Sequence, residues 1–158
     1  MLSRRDGVAF FAMPQMHRVP GSTGEYPDFI KRMRVFQLAV QLLDDSWSDA
    51  ETLTGHPVTA LVGPQLYKAI GSIAANIGEG YSRSSGRDRA RFFEYALGSA
   101  KESGIWYRAA VRVLDHPTVA SRMAVLEEIQ RMLQAVIPRE RDRTIRPGRR
   151  RHAAEQGA

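Results

Sequence analysis

Apolar residues recur every three or four positions along four stretches of the chain, the spacing of amphipathic helices. The first predicted helix follows Asp28 as its N-cap and runs from about Phe29 to Trp47. The second begins near Pro64, which suits a first helical position, and ends at Gly80 as a C-terminal cap. The predicted seam of the first helix is Phe29, Met33, Phe36, Val40, Leu43 and Trp47, widened by Val35, Leu38, Ala39 and Leu42; that of the second is Leu66, Ile70, Ile73 and Ile77.

A turn over residues 82–86 separates the second helix from a third, which is predicted from about Arg87 to Leu114 with Ser84 or Ser85 as its cap. The fourth is predicted from a cap at Thr118 to about Ile137, ended by Pro138. Their seams are Phe93, Leu97, Ala100, Gly104, Tyr107, Val111 and Leu114 in the third helix, and Val119, Met123, Leu126, Ile129 or Gln130, Leu133 and Val136 in the fourth. Four such helices with short connections predict an all-α protein, an antiparallel up-down-up-down four-helix bundle.

The third predicted helix carries a second apolar stripe, offset by about 100° from the first at the α-helical step. Its members are Phe92, Ser99, Ser103 and Trp106, with Tyr95 nearby. Two stripes exceed what the outside of a monomeric bundle needs. Gly98, Ser99 and their small neighbours therefore either tighten the bundle or permit close approach of another subunit, and Phe92, Tyr95 and Trp106 are the candidate oligomer-interface residues.

The net charge of +6 is concentrated towards the C-terminus. Residues 138–158, the basic tail, hold 7 basic and 3 acidic side chains, whereas residues 28–137 hold 13 and 12. We predict that residues 1–27 and the basic tail are disordered extensions of a bundle spanning 28–137. The tail suits an anionic partner such as nucleic acid, or it serves only to keep the protein soluble.

Four arginines surround the turn between the second and third predicted helices: Arg83, Arg87, Arg89 and Arg91. Such a cluster is a candidate for nucleic-acid binding through phosphate contacts. Tyr81 and Phe92 lie beside it in the sequence as candidate stacking surfaces for bases. The alternative is a solvated charged face, partly offset by Asp88 and Glu94.

The sequence around the turn has a recognisable form: Ser72-Ile73-Ala74-Ala75-Asn76-Ile77-Gly78-Glu79-Gly80, then Arg83-Ser84, Phe92-Phe93 and Ala96-Leu97-Gly98-Ser99-Ala100. It resembles the signature of the four helix bundle protein family, whose first members are encoded in intervening sequences of bacterial 23S rRNA genes. The chain departs from that signature at Gly78, where alanine is usual, and at Ser103, where leucine is usual. The resemblance covers about residues 29–137.

This resemblance implies an antiparallel four-helix bundle that assembles as a ring, often a pentamer. A related bundle protein in diversity-generating retroelements binds a reverse transcriptase and nucleic acid, so RNA, DNA and a reverse transcriptase are expected candidate partners. The family has no established catalytic activity to carry over.

Asn76 and Glu79 are the polar residues of the motif. They either contact a ligand or satisfy backbone groups at the end of the second helix, where carbonyls lack partners. Glu79 is also placed to pair with Arg83.

Several kinds of chemistry find no support in the sequence. The chain has no cysteine, so disulfides and thiolate chemistry are excluded, and a reducing, cytoplasmic location is expected. No apolar run approaches the roughly 20 residues of a membrane helix. His17, His56, His116 and His152 fall in predicted loops or tails, with no Glu-x-x-His pair for a metal and no histidine placed to activate a serine.

We therefore expect a non-enzymatic, oligomeric protein without cofactors. Its expected role is that of a nucleic-acid-associated accessory factor. The alternative is an oligomeric protein-interaction scaffold with no nucleic-acid role.

Overall fold

The structure, a computed structural model, describes residues 27–143. It contains five helices: α1 (Asp28–Lys31), α2 (Arg34–Thr54), α3 (Val62–Ser82), α4 (Gly86–Ala110) and α5 (His116–Arg141). No strand occurs within these residues. The predicted all-α class is thus confirmed, and the helices pack into a bundle. The predicted disordered extensions, residues 1–27 and 138–158, lie outside the described residues except for Pro27 and residues 138–143. Within that exception the prediction was wrong for residues 138–141, which belong to α5.

The core lies where α3 packs against α2 and α4, and α5 packs against α4 and α2. The predicted seam of α3 is confirmed, because Leu66, Ile70, Ile73 and Ile77 are all fully buried. Phe93 and Tyr107 of α4 and Leu126, Ile129 and Leu133 of α5 complete the centre. No helix in the described part of the chain has the length and apolarity to cross a membrane.

The first predicted helix was wrong in its start and in its buried face. Met33 has an extended backbone that separates the single turn of α1 from α2, so Phe29 is out of register with the α2 core face. Of the predicted seam, Phe36 is buried, and Met33, Val40 and Leu43 are partly buried against the core. The residues predicted only to widen the seam are all buried: Val35, Leu38, Ala39 and Leu42. Trp47 is 57% exposed and instead packs edge-on against Tyr67 of α3, with ring centroids 5.4 Å apart.

Gly80 was predicted to end the second helix, but α3 continues past it to Ser82. Its function is close packing, since a Cβ built on Gly80 would lie 2.7 Å from Cε1 of Phe93. The helix begins at Val62, two residues before the predicted start.

The start of α4 agrees with prediction and its end does not. The hydroxyl of Ser85 accepts a hydrogen bond from the backbone N–H of Asp88 at 3.4 Å, the expected capping contact. The helix ends at Ala110, and residues 111–114 form turns rather than its last turn.

Both predicted ends of the last helix were wrong. Asp115, not Thr118, caps α5: its carboxylate accepts from the backbone N–H of Thr118 at 2.9 Å. This hydrogen bond, together with one that the Thr118 hydroxyl donates at 2.7 Å, lowers the pKa of Asp115. Pro138 lies inside α5, which continues to Arg141. Burial of Ile137 and Glu140 on either side of the proline offsets the hydrogen bond that Pro138 cannot donate.

Candidate nucleic-acid interface

The arginine turn, residues 83–91, joins the end of α3 to the first turns of α4. Arg83 follows the last residue of α3, and Arg87, Arg89 and Arg91 lie on α4. Arg83, Arg87 and Arg91 are exposed, whereas Arg89 is half-buried. The four predicted arginines therefore divide into one that faces the protein and three that face solvent.

Arg89 points into the contact between α4 and α5. Its guanidinium lies 2.8 Å from the carboxylate of Glu140, and the two side chains are only 15% and 12% exposed. It also donates to the carbonyl of Arg83 at 2.8 Å, and its guanidinium carbon lies 5.9 Å from the centre of the Tyr81 ring. These contacts give Arg89 a structural role and leave its guanidinium little freedom to reach a phosphate.

Arg83 forms an ion pair with Glu79, one helical turn earlier, which confirms the expected pairing of these residues. Its guanidinium also lies over the ring of Phe92, 4.8 Å from the ring centre. Both partners are substantially exposed, so solvent weakens the ion pair. Arg83 can therefore exchange Glu79 for another anion at small cost.

Arg87 and Arg91 carry the least compensated charge of the turn. The Nε of Arg91 donates to the hydroxyl of Tyr95 at 2.7 Å, a neutral partner that leaves the charge in place. Arg87 is exposed and forms no ion pair within residues 27–143. Arg83, Arg91, Asp88, Phe92 and Tyr95 together line a shallow surface pocket of about 390 Å³.

Asn76, the other polar motif residue, acts within its own helix. Its side-chain nitrogen donates to the carbonyl of Ser72 at 2.8 Å, and the residue is half-buried. Ser72 lies in the interior of α3, so this contact does not cap the helix-end carbonyls to which the expectation referred.

The predicted interface residues lie along one face of α4. Tyr95 is 46% exposed, Phe92 and Trp106 are half-buried, and Ile105, on the same side, is 61% exposed. A Cβ on Gly98 would meet nothing within 4 Å, so Gly98 does not tighten the contacts within this chain. Ser103, by contrast, is fully buried and donates to the carbonyl of Ser99 at 2.8 Å, which places it on the core side.

Sequence reasoning missed a buried polar network between α2, α4 and α5. Arg122 lies 2.9 Å from both Asp45 and Asp49, and the hydroxyl of Tyr107 donates to Asp49 at 2.8 Å. Burial, and next the hydrogen bond to Asp49, raise the pKa of Tyr107 far above its ordinary value of 10. The available signal was the pair of carboxylates, Asp45 and Asp49, one helical turn apart on α2, since like charges at this spacing destabilise a helix unless a cation lies between them.

Sequence reasoning also missed the junction between the start of α4 and the end of α5. A Cβ on Gly86 would lie 2.3 Å from the carbonyl oxygen of Glu140 and 3.0 Å from that of Arg143. The two backbones therefore touch at Gly86, directly beside the arginine turn. Pro138, taken as a helix end, obscured this contact in the sequence.

No trio of acidic or histidine side chains suited to a metal ion occurs among residues 27–143. Buried Asp49 and Glu140 bind Tyr107 and Arg89, and Ser103 donates to a helix carbonyl. Among the described residues, the Nε of Arg89 is buried without a hydrogen-bond partner. The arginine turn is thus the part of the described chain in which charge, exposure and aromatic rings coincide.

A sequence model of the 23S rRNA-intervening sequence proteins matches residues 31–135. The chain belongs to this family. The match includes the motif and the whole arginine turn, and ends before Glu140 and the rest of the basic tail. The similarity to this family expected from residues 72–100 is thereby confirmed.

A solved structure has a similar fold. The chain is similar to a protein of unknown function from the S23 ribosomal protein family of Bacteroides thetaiotaomicron, with 21% identity and a TM-score of 0.61. The similarity covers 65% of this chain and 97% of that protein, and at this identity it shows the fold alone. No curated protein matches the chain.

Proposed function

We propose that this 23S rRNA-intervening sequence protein is a non-enzymatic accessory factor that binds the phosphate backbone of RNA or DNA through its arginine turn. The observation that carries the proposal is the exposure of Arg87 and Arg91 on consecutive turns of α4 without a carboxylate partner in the described chain. Arg83 lies beside them, and in the proposed complex a phosphate replaces Glu79 as the partner of its guanidinium, because the Arg83–Glu79 pair is exposed and weak.

The proposal includes the helix arrangement and the assembly. The four long helices are joined by short connections, which favours antiparallel neighbours and an up-down-up-down bundle. The exposed face of α4, with Tyr95, Gly98 and Ile105, supports association of copies into a ring, with five subunits as the favoured number. A ring repeats the arginine turn along one rim, so each added contact with a long nucleic acid is intramolecular.

The absence of an enzymatic activity is part of the proposal. The hydroxyls of Ser46, Ser72 and Ser82 donate to helix carbonyls rather than to a base. A cytoplasmic location is proposed because nucleic acid is the partner.

A protein-interaction scaffold is the second candidate function. Its support is a surface pocket of about 490 Å³ between α2 and α3, lined by Trp47, Glu51, Pro64 and Tyr67 among others. Trp47 is exposed and Tyr67 half-buried, and aromatic residues of this kind are enriched in protein contacts. A protein partner such as a reverse transcriptase would dock there.

The proposal is tested by binding of the purified protein to structured RNA and to duplex DNA across a salt series. Changing Arg83, Arg87 and Arg91 together to glutamate is expected to abolish binding without altering the oligomer, measured by light scattering. Retained binding in that variant would overturn the arginine-turn proposal. A specific protein partner whose capture survives nuclease, with no nucleic-acid binding, would establish the scaffold instead.

A further inference from the structure

The pocket of about 490 Å³ between α2 and α3, called here the aromatic pocket, joins two aromatic rings to a carboxylate. Trp47 and Tyr67 meet edge to face, with ring centroids 5.4 Å apart and ring planes at 84°. Glu51 lies one helical turn after Trp47 on the same side of α2. Two aromatic surfaces and one negative charge therefore line a single cavity, together with Pro64.

No cation of the described chain contacts these groups. Glu51 is exposed and forms no ion pair within residues 27–143. No guanidinium or ammonium group of those residues lies over the ring of Trp47 or Tyr67. Lys68, the neighbour of Tyr67, is exposed and makes no ion pair with Glu51. The aromatic pocket thus presents the partners that a cation prefers, and no described side chain supplies the cation.

The arginine turn shows the same chemistry with the cation present. The guanidinium of Arg83 lies 4.8 Å from the centre of the Phe92 ring and also pairs with Glu79. One arginine therefore contacts a ring and a carboxylate at the same time. Trp47 and Glu51 present the same two kinds of partner. An arginine fits them better than a lysine, because a planar guanidinium stacks on a ring face and forms a forked contact with a carboxylate.

The surface beside the aromatic pocket favours a protein as the source of that arginine. Val58 and Leu61, in the connection that leads into α3, are each 84% exposed, and Leu61 is three residues before Pro64. Exposed apolar side chains grouped in this way are typical of protein-interaction surfaces. A free cation in the pocket leaves these side chains in water, whereas a protein segment can cover them.

We propose that the aromatic pocket is a docking site for an arginine side chain of a protein partner, whose neighbouring apolar residues cover Val58 and Leu61. This inference goes beyond the proposed function and depends on neither the arginine turn nor nucleic acid. Tyr67 and Ser82, the last residue of α3, are 15 residues apart, or about 22 Å of helix. One protomer therefore has its protein site and its arginine turn at opposite ends of α3.

The test uses the full-length protein with isotopically labelled tryptophan. The chain has two tryptophans, so its indole signals come from Trp47 and Trp106, and Trp106→Phe assigns them. The ligands are the peptide acetyl-Leu-Arg-Leu-amide and the same peptide with citrulline, an uncharged analogue of similar shape, in place of arginine. We expect the Trp47 signal to shift saturably, the Trp106 signal to stay unchanged, and the arginine peptide to bind more tightly by about threefold or more. Equal affinities for the two peptides would overturn the inference.

A matched pair of variants tests the carboxylate. Glu51→Gln is expected to weaken the arginine peptide by about threefold or more and to leave the citrulline peptide unaffected. The control is Glu127→Gln, which removes an exposed carboxylate of α5 that has no ion pair within the described residues. Wild-type affinity of Glu51→Gln for the arginine peptide would overturn the assignment of Glu51 as the partner of the guanidinium, and with it the proposed site.

A third peptide distinguishes a protein segment from a free cation. Acetyl-Gly-Arg-Gly-amide lacks the apolar neighbours of the arginine and is expected to bind about threefold or more weakly than the leucine peptide, a difference that Leu61→Gln should reduce. Equal binding of the two peptides to the wild type would show a site for a guanidinium alone and overturn the docking surface. Absence of any shift of the Trp47 signal would overturn the whole inference, while the arginine-turn proposal would stand unaffected.

Discussion

The Arg89 guanidinium and the Glu140 carboxylate lie 2.8 Å apart across the contact between α4 and α5, largely removed from solvent. This pair joins the start of one helix to the end of the other, beside the close approach at Gly86. It explains why α5 continues past Pro138, and why one of four neighbouring arginines has a structural role.

Removing Arg89 is expected to destabilise the fold. Arg89→Gln leaves the Glu140 carboxylate with only its longer contact to Arg143, at 3.4 Å. Loss of one partner of a buried pair costs about 3 kcal/mol, measured as a lower urea midpoint. Arg87→Gln is the matched control, because Arg87 is exposed and has no ion pair within the described residues. Equal stability of the two variants would show that the Arg89–Glu140 pair contributes nothing to the fold.

Stability is expected to fall at high pH because of Tyr107. Burial, and next the hydrogen bond to Asp49, raise the pKa of Tyr107, so the native protein retains a proton that the unfolded chain releases. This contribution is complete below about pH 10 and decreases by about 1.4 kcal/mol per pH unit above it. Tyr107→Phe should remove that part of the alkaline loss and cost about 1–2 kcal/mol at neutral pH. An unchanged alkaline slope in urea titrations of the variant would contradict the assignment.

The glycines are expected to differ in their tolerance of alanine. Gly86→Ala places its Cβ 2.3 Å from the carbonyl oxygen of Glu140, and this overpacking should cost about 1–3 kcal/mol. The new Cβ of Gly98→Ala meets no neighbour within 4 Å. Because glycine loses more backbone entropy on folding than alanine does, this change should stabilise the protomer by about 0.5–1 kcal/mol. Thermal unfolding of both variants checks the difference, and a neutral Gly86→Ala would mean that the two backbones do not touch.

The exposed face of α4 is expected to hold copies together. Gly98→Glu introduces a charge between Tyr95 and Ile105. Burying this charge in an interface without a partner should raise the dissociation constant of the oligomer at least tenfold. Gln134→Glu makes the same change of charge at an exposed residue of α5 and is expected to leave the oligomer unchanged. Analytical ultracentrifugation measures both variants. Identical size distributions for wild type and Gly98→Glu would place the interface elsewhere.

The sequence predicted α3 and most of α4 well because their apolar residues are large, regularly spaced and buried. It failed at Trp47, since a large apolar side chain can cover the edge of a bundle as well as its centre. It failed at Pro138 because a local preference for ending a helix was outweighed by burial of Ile137 and by the ion pair of Glu140.

The candidate site was predicted only in part for a related physical reason. The sequence placed four arginines in one turn, but their partners include residues distant in the chain. Arg89 pairs with Glu140, which is 51 residues away in the sequence, and Arg122 pairs with Asp49, which is 73 residues away. Such pairings depend on which helix faces meet, so local spacing cannot reveal which arginine is free to bind a ligand.

The most direct measurement is the salt dependence of nucleic-acid affinity for two matched double variants. Arg87→Gln with Arg91→Gln removes two exposed arginines from the turn. Arg108→Gln with Arg112→Gln removes two exposed arginines with the same sequence spacing, one in the last turn of α4 and one just beyond it. The account predicts that the first variant binds structured RNA more weakly and that its log–log salt slope is smaller by about two units. It predicts that the second variant binds like the wild type. Equal effects of the two changes, or none, would contradict binding at the arginine turn.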